Sequence, residues 1–277
     1  MSTPRTLTLP DGVEATVIET PVGAFAAHIV RVSHPTAHVQ LIPGWTGSKE
    51  DFTPLLPLLA AAGFDATAYD QRGQFETPGH AGDDYTLDGF AADATVLASA
   101  CSDAPSHLLG HSFGGLVAQQ AVLATPSAWR SLSLLGTGPG ALGETPNRPL
   151  TKFLNAIGVV PMADIHRFRE QAMGLERAPD IAEFLLRRFT SNDPQSLKAM
   201  TQALLDSPDR IDELAALPVP IWVGRGADDD AWPHDIQALM ARRLGTEIHV
   251  IEDSAHSPAV ENTRGLADAW LPFLEAR

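Results

Sequence analysis

The chain has 277 residues, 44% hydrophobic and 19% charged, a globular balance with ample apolar material for a core, which excludes disorder and collagen-like repeats. Nineteen Lys and Arg stand against 34 Asp and Glu, a formal charge of −15, so nucleic-acid and membrane-surface roles are not expected. Cys101 is the single cysteine, which excludes an internal disulfide and a cysteine zinc cluster.

The opening MSTPRTLTLPDG lacks the basic-then-apolar pattern of a secretory signal. The longest apolar stretch, residues 55–64, is too short to span a bilayer. A soluble cytoplasmic protein is expected. The N-terminal stretch reads as three strands, 6–9, 13–19 and 24–32, separated by Pro10-Asp11-Gly12 and Pro21-Val22-Gly23 and forming an antiparallel edge. From residue 38 strands alternate with helices. Strand 38–42 is followed by helix 49–62, which Ser48 and Asp51 can cap and Gly63 can end. Strand 65–70 and helix 85–101 come next, then strand 106–110, helix 113–124 and strand 131–135. Strand 220–223, helix 233–244, strand 247–251 and helix 258–273 close the chain, with Pro272 expected to truncate or kink the last. This alternation argues for an α/β fold, a mostly parallel sheet with helices on both faces.

Residues 138–216 interrupt the alternation with helical patterns at 149–157, 164–173, 181–189 and 194–205. Such a segment reads as a helical cap inserted into one core formed by residues 1–137 and 217–277, rather than as an independent domain.

His107-Leu108-Leu109-Gly110-His111-Ser112-Phe113-Gly114-Gly115 contains G-x-S-x-G where a strand is expected to end and a helix to begin, the context of a nucleophile elbow. A serine hydroxyl needs a base, and the base a carboxylate to orient it. In this arrangement acid and histidine follow the serine. Of ten histidines, His166, His234, His249 and His256 lie late enough. His166 falls among the cap helices, His249 inside a strand and His234 at a helix start. His256 sits in the loop after the last strand, where α/β sheets place functional groups. For the acid, Asp228, Asp229 and Asp230 compete after strand 220–223, with Asp253 a fourth candidate, and spacing does not choose. Oxyanion donors are expected at the N–H of Phe113 and of Trp45, in Pro43-Gly44-Trp45-Thr46-Gly47.

On these residues the chain resembles the α/β-hydrolase superfamily, in its serine-nucleophile, esterase- and lipase-like branch with a helical cap, over nearly its whole length. Gly110-His111-Ser112-Phe113-Gly114-Gly115 is similar to the G-H-S-x-G-G of many esterases. Gly226-Ala227-Asp228-Asp229 with Pro233 is similar to the family's G-x-x-D-x-x-x-P, and this resemblance selects Asp229 as the acid. Ser254-Ala255-His256-Ser257-Pro258 resembles the base loop, and Asp70-Gln71-Arg72-Gly73 the D-x-R-G turn. The chain departs in having Pro43-Gly44 where many relatives have His-Gly, and Gln74-Phe75-Glu76-Thr77 where many continue differently. Ser at 112 disfavours the aspartate-nucleophile branches.

The resemblance implies a serine hydrolase with Ser112 as nucleophile, His256 as base, Asp229 as its partner and the Trp45 and Phe113 amides as oxyanion hole. It needs neither metal nor organic cofactor, and its partner is a small-molecule substrate, with no oligomeric state specified. Phe75, Glu76, Trp232, Phe153, Phe168 and Phe184 are candidates for the substrate pocket, and the apolar residues of the cap favour a small or medium apolar ester. Thioester, amide, C–C and perhydrolysis chemistry are alternatives on the same fold, Glu170, Glu176 and Glu183 keep a peptidase open, and a non-catalytic receptor is the rival from another class.

Overall fold

The computed structural model describes residues 2–142, 149–174 and 176–277. An eight-stranded sheet organises it. The strands are β1 (Glu14–Thr20), β2 (Gly23–Val30), β3 (His38–Ile42), β4 (Asp65–Tyr69), β5 (Ser106–His111), β6 (Trp129–Leu135), β7 (Ile221–Gly226) and β8 (Ile248–Ile251), in the order β1-β2-β4-β3-β5-β6-β7-β8. β1 and β2 pair antiparallel, as do β2 and β4, and every later pair is parallel.

The period of two along each strand sends neighbouring residues to opposite faces. Ile42, Leu108, Leu134 and Val223 join one core cluster, with Phe90, Leu97 and Val117 of α2 (Leu87–Cys101) and α3 (Phe113–Ala124). Leu41, Leu109, Leu135 and Trp222 join the other, with Leu56 and Leu59 below and Trp270 and Leu274 beside them. Helices therefore cover both faces.

Three sequence expectations change. Residues 6–9 form no strand, so the antiparallel edge has two strands. The expected helix 49–62 is a 3-10 turn, Lys49–Asp51, followed by the short α1 (Leu56–Ala61). Pro54 lacks the N–H that would carry the first turn into the second, and the Lys49 amide is engaged by Asp70 Oδ1 at 2.7 Å. The last helix breaks at Asn262, not at Pro272, giving α10 (Pro258–Glu261) and α11 (Thr263–Glu275). The Asn262 side chain accepts from the Gly265 amide at 2.9 Å and restarts the helix. Pro272 is exposed in the last turns of α11, where one lost backbone bond is cheap.

Between β6 and β7 the chain forms α4 (Pro149–Ala156), α5 (Met162–Met173), α6 (Pro179–Thr190), α7 (Pro194–Asp206) and α8 (Ile211–Ala215). α7 begins as its sequence reads, with the Asp193 carboxylate accepting from the Gln195 amide at 2.7 Å and Pro194 at the first position. Ile211 and Leu214 of α8, like Met200 and Leu204 of α7, are buried in the sheet-face core with α3. The remaining helix, α9 (His234–Arg243), follows β7.

Candidate active site

β5 ends at His111, α3 starts at Phe113, and Ser112 stands between them at φ 57, ψ −120. A non-glycine residue there stores about 1–3 kcal/mol of strain, which persists only where the surroundings over-determine it. They do so here. The Ser112 amide donates to the Leu135 carbonyl at 2.9 Å, and the Gly115 amide to that of Ser112 at 2.8 Å. A Cβ at Gly110 would collide with the Gly114 carbonyl, and one at Gly114 with the carbonyls of Ile42 and Pro43. The flanking glycines are thus a packing requirement of the bend.

Ser112 Oγ lies 2.9 Å from His256 Nε2, and His256 Nδ1 lies 2.9 Å from Asp229 Oδ1. Asp229 is buried, whereas Asp228, Asp230 and Asp253 are exposed. Burial pushes the Asp229 carboxyl up, but the hydrogen bond and charge of His256, with the Ala231 amide and the Gln237 side chain, hold it down at about 2. It is an anion at every pH at which the protein would act.

The histidine loop is gripped from two sides. His111 Nε2–H donates to the His256 carbonyl at 2.7 Å. Burial first, then the neighbouring His256, pushes His111 down to about 4, so it stays neutral in this role. Glu261 Oε2 accepts from the Ala255 amide at 2.7 Å and the Ser257 amide at 3.1 Å.

Gly44 packs so closely on the elbow that a Cβ there would sit 3.0 Å from Ser112 Cβ. The Gly44 carbonyl accepts from the Gly47 amide at 2.9 Å and Gln74 Nε2 at 3.1 Å, and the Pro43 carbonyl from Gln71 Nε2 at 3.1 Å. A trans peptide holds its N–H opposite its carbonyl, so these bonds also fix the direction of the Trp45 N–H. The Phe113 N–H belongs to the first residue of α3, where an amide has no partner within the helix.

A cavity of about 240 Å³ opens over Ser112 and His256, walled by Trp45, Leu142, Leu150, Leu204 and Trp232. Ser2 and Asp51 also line it. The Ser2 carbonyl accepts from Arg188 Nη2 at 2.6 Å, Thr3 Oγ1 from Arg177 at 2.8 Å, and Arg5 donates to the Glu261 carbonyl at 2.6 Å. Residues 2–5 therefore run from α6 to α10, with Ser2 at the edge of the cavity.

Of the expected pocket residues only Trp232 lines this cavity, its ring 6.4 Å from that of His256. Phe75 is instead buried edge-to-face against Phe184, 5.5 Å between centroids, with Lys49 Nζ 4.7 Å above it. Glu76 binds that same ammonium at 2.7 Å. Phe75, Glu76 and Phe184 fasten α6 to the core and do not line this cavity. Phe153 packs behind the Trp45 ring at 4.7 Å, and Phe168 is 69% exposed on α5. Both line a second hollow, described below. His166 and His234 are also elsewhere, although His234 Nε2–H supports the Asp229 carbonyl at 2.7 Å, and His249 stacks on Trp222 at 5.2 Å.

Sequence reasoning did not single out Gln71, Gln74, Gln237, Glu261 or the tether of His111. Only Glu261 carries a local signal, as an acidic residue in the first turn after the histidine loop. Among the described residues no group of three or more His, Cys, Asp or Glu is gathered to hold a metal ion. No helix among them is long and apolar enough to cross a membrane.

The sequence profile described as the Alpha/beta hydrolase family matches residues 41–269. A pimeloyl-[acyl-carrier protein] methyl ester esterase of Neisseria meningitidis serogroup B (strain MC58) is 29% identical over 260 residues, 88% of this chain and 96% of that one. An enzyme of the same name from Aeromonas salmonicida (strain A449) is 32% identical over 245 residues, 84% of this chain and 94% of its own. The fold matches that of a hydrolase from Pseudomonas aeruginosa PA01 with a TM-score of 0.76 at 23% identity, covering 94% of this chain and 98% of that chain. The chain belongs to the alpha/beta hydrolase family.

Proposed function

We propose that the protein is a serine esterase that cleaves a carboxylic ester with a medium-length apolar acyl chain and a small alcohol. The observation that carries this reading is the unbroken line Ser112–His256–Asp229, two contacts of 2.9 Å at a strained elbow. The apolar cavity above it and relatives named as methyl ester esterases support the substrate class.

Ser112 Oγ attacks the ester carbonyl as its proton passes to His256 Nε2. The carbonyl oxygen becomes an oxyanion, stabilised by the amides of Phe113 and Trp45, and the imidazolium by the Asp229 carboxylate. The tetrahedral intermediate collapses, the C–O bond to the alcohol breaks, and His256 returns the proton to the leaving alkoxide. Water then repeats the sequence on the acyl-enzyme, releasing the acid and restoring Ser112.

Labelling with a fluorophosphonate, wild type against Ser112→Ala, tests the reading. Wild type should be labelled and should turn over short aryl and methyl esters, and the variant should do neither. An unlabelled, inactive wild type would favour a receptor built on the same fold.

A further inference from the structure

The cavity over Ser112, about 240 Å³, is smaller than the roughly 300–1,000 Å³ that small-molecule sites usually offer. A second hollow of about 540 Å³ lies beside it between α4 and α5 and shares with it the walls Trp45, Pro149 and Leu150. Its other walls are largely apolar, among them Phe153, Ile165 and Phe168. Two cations line it, Lys152, which is exposed, and Arg169, which is half-buried and faces the apolar walls.

The neighbouring arginines have carboxylate partners. Arg167 pairs with Asp164, Arg177 with Glu170, Arg187 with Glu76 and Arg188 with Asp51. Among the described residues Arg169 has no such partner within ion-pair distance, and its Nη1 is buried with no hydrogen bond. Its guanidinium lies 5.9 Å from the centre of the Trp45 ring. Burial, and the charges of Arg188 and Arg177, push its pKa down to about 10 against the pull of Glu170, which still leaves a cation at neutral pH. The region is also less acidic than the rest of a strongly acidic protein: residues 138–216 carry nine Lys and Arg against eleven Asp and Glu.

A desolvated guanidinium without an anion is costly, and a bidentate anion is what its geometry fits. Apolar walls suit a methylene chain, and the shared walls lead to the serine. We propose that this hollow holds the far part of the substrate's acyl chain and that Arg169 binds an anionic group, carboxylate or phosphate, carried at the end of that chain. The inference rests on the esterase reading above and narrows its substrate class to esters with an anion remote from the scissile bond.

The test compares kcat/KM for three methyl esters of matched chain length, ending in a methyl group, a carboxylate or a phosphate monoester. Wild type should prefer an anionic member, and whichever anion wins identifies the source. In Arg169→Met the ratio of anionic to neutral kcat/KM should fall about tenfold or more, the scale of one lost charge-assisted contact, and Arg169→Lys should recover part of it. A variant that is merely misfolded lowers all three alike and leaves the ratio intact. No preference in wild type, or a preference that survives Arg169→Met, overturns the proposal. Calorimetric binding of the same esters to Ser112→Ala separates the two readings. The anionic ester should bind more tightly, and Ser112→Ala/Arg169→Met should lose that margin even if the wild type proves not to be an esterase. Equal binding would overturn the anion site itself.

Discussion

The carboxyl end of the sheet and the helices between β6 and β7 are built to different standards. Around Ser112, Asp229 and His111 are buried and hydrogen-bonded, and the strain at φ 57 is held by flanking strands and close-packed glycines. The intervening helices are looser. α4 buries no residue, and Val159 and Phe168 are 81% and 69% exposed. α7 and α8 reach the core through Met200, Leu204, Ile211 and Leu214, and polar contacts add to this: Arg188 to Asp51 at 2.8 Å, Ser196 Oγ to the Arg72 carbonyl at 2.9 Å, and the Trp45 indole to Thr201 Oγ1 at 2.9 Å. Ser112, His256 and Asp229 stand at the carboxyl ends of the strands, and the exposed faces of the intervening helices are where change is tolerated most readily.

The largest effect is expected from a change at the sheet end that leaves stability alone. Asp229→Asn should lower kcat by about 10⁴ with little change in the denaturation midpoint, while Asp228→Asn and Asp230→Asn, both exposed, should be mild in the same assay. A severe Asp228 effect with an active Asp229 variant would reassign the acid. Next in size is the pin between the two regions. Arg188→Met strands a buried carboxylate at Asp51 and should cost about 3–5 kcal/mol in urea unfolding, whereas Arg187→Met, an exposed pair, should cost less than about 1 kcal/mol.

A graded effect should follow pH. Burial holds His38, His107 and His111 each at about 4, below their ordinary value of 6.5. The unfolded chain therefore takes up protons that the folded one refuses. Their contribution to stability is complete above pH 6.5 and is lost as pH falls from about 6.5 towards 4. Unfolding midpoints measured across that window should drop, and a flat profile would mean that these histidines are not held neutral. Smallest of all, Glu76→Gln should shift stability by less than about 1 kcal/mol and leave kcat/KM for a neutral ester within about twofold, because Glu76 meets Lys49 and Arg187 rather than the cavity.

The same division explains how much could be read from sequence. The elbow announces itself because its chemistry demands glycines at fixed offsets from one serine. Alternating apolar residues likewise mark the strands. Among three adjacent aspartates only the family resemblance selects Asp229, since what separates them is burial and contacts with Gln237 and His256, 8 and 27 residues on. Phe75 and Phe184 resemble pocket residues in composition, but an apolar side chain packed on another helix and one facing a ligand look alike in a sequence. Gln71 and Gln74, which hold the Pro43 and Gly44 carbonyls, leave no pattern at all, because they act across 28 and 30 residues of chain.

The path of residues 2–5 has a practical side. Ser2 forms part of the cavity edge, and its carbonyl closes the Arg188 cluster. A purification tag fused ahead of it would begin within reach of the substrate, while Arg277 lies away from the site with its carbonyl held by Arg130. Kinetic constants from amino- and carboxyl-tagged preparations should therefore not be pooled, and chain-length preference is the property on which the two preparations would differ first.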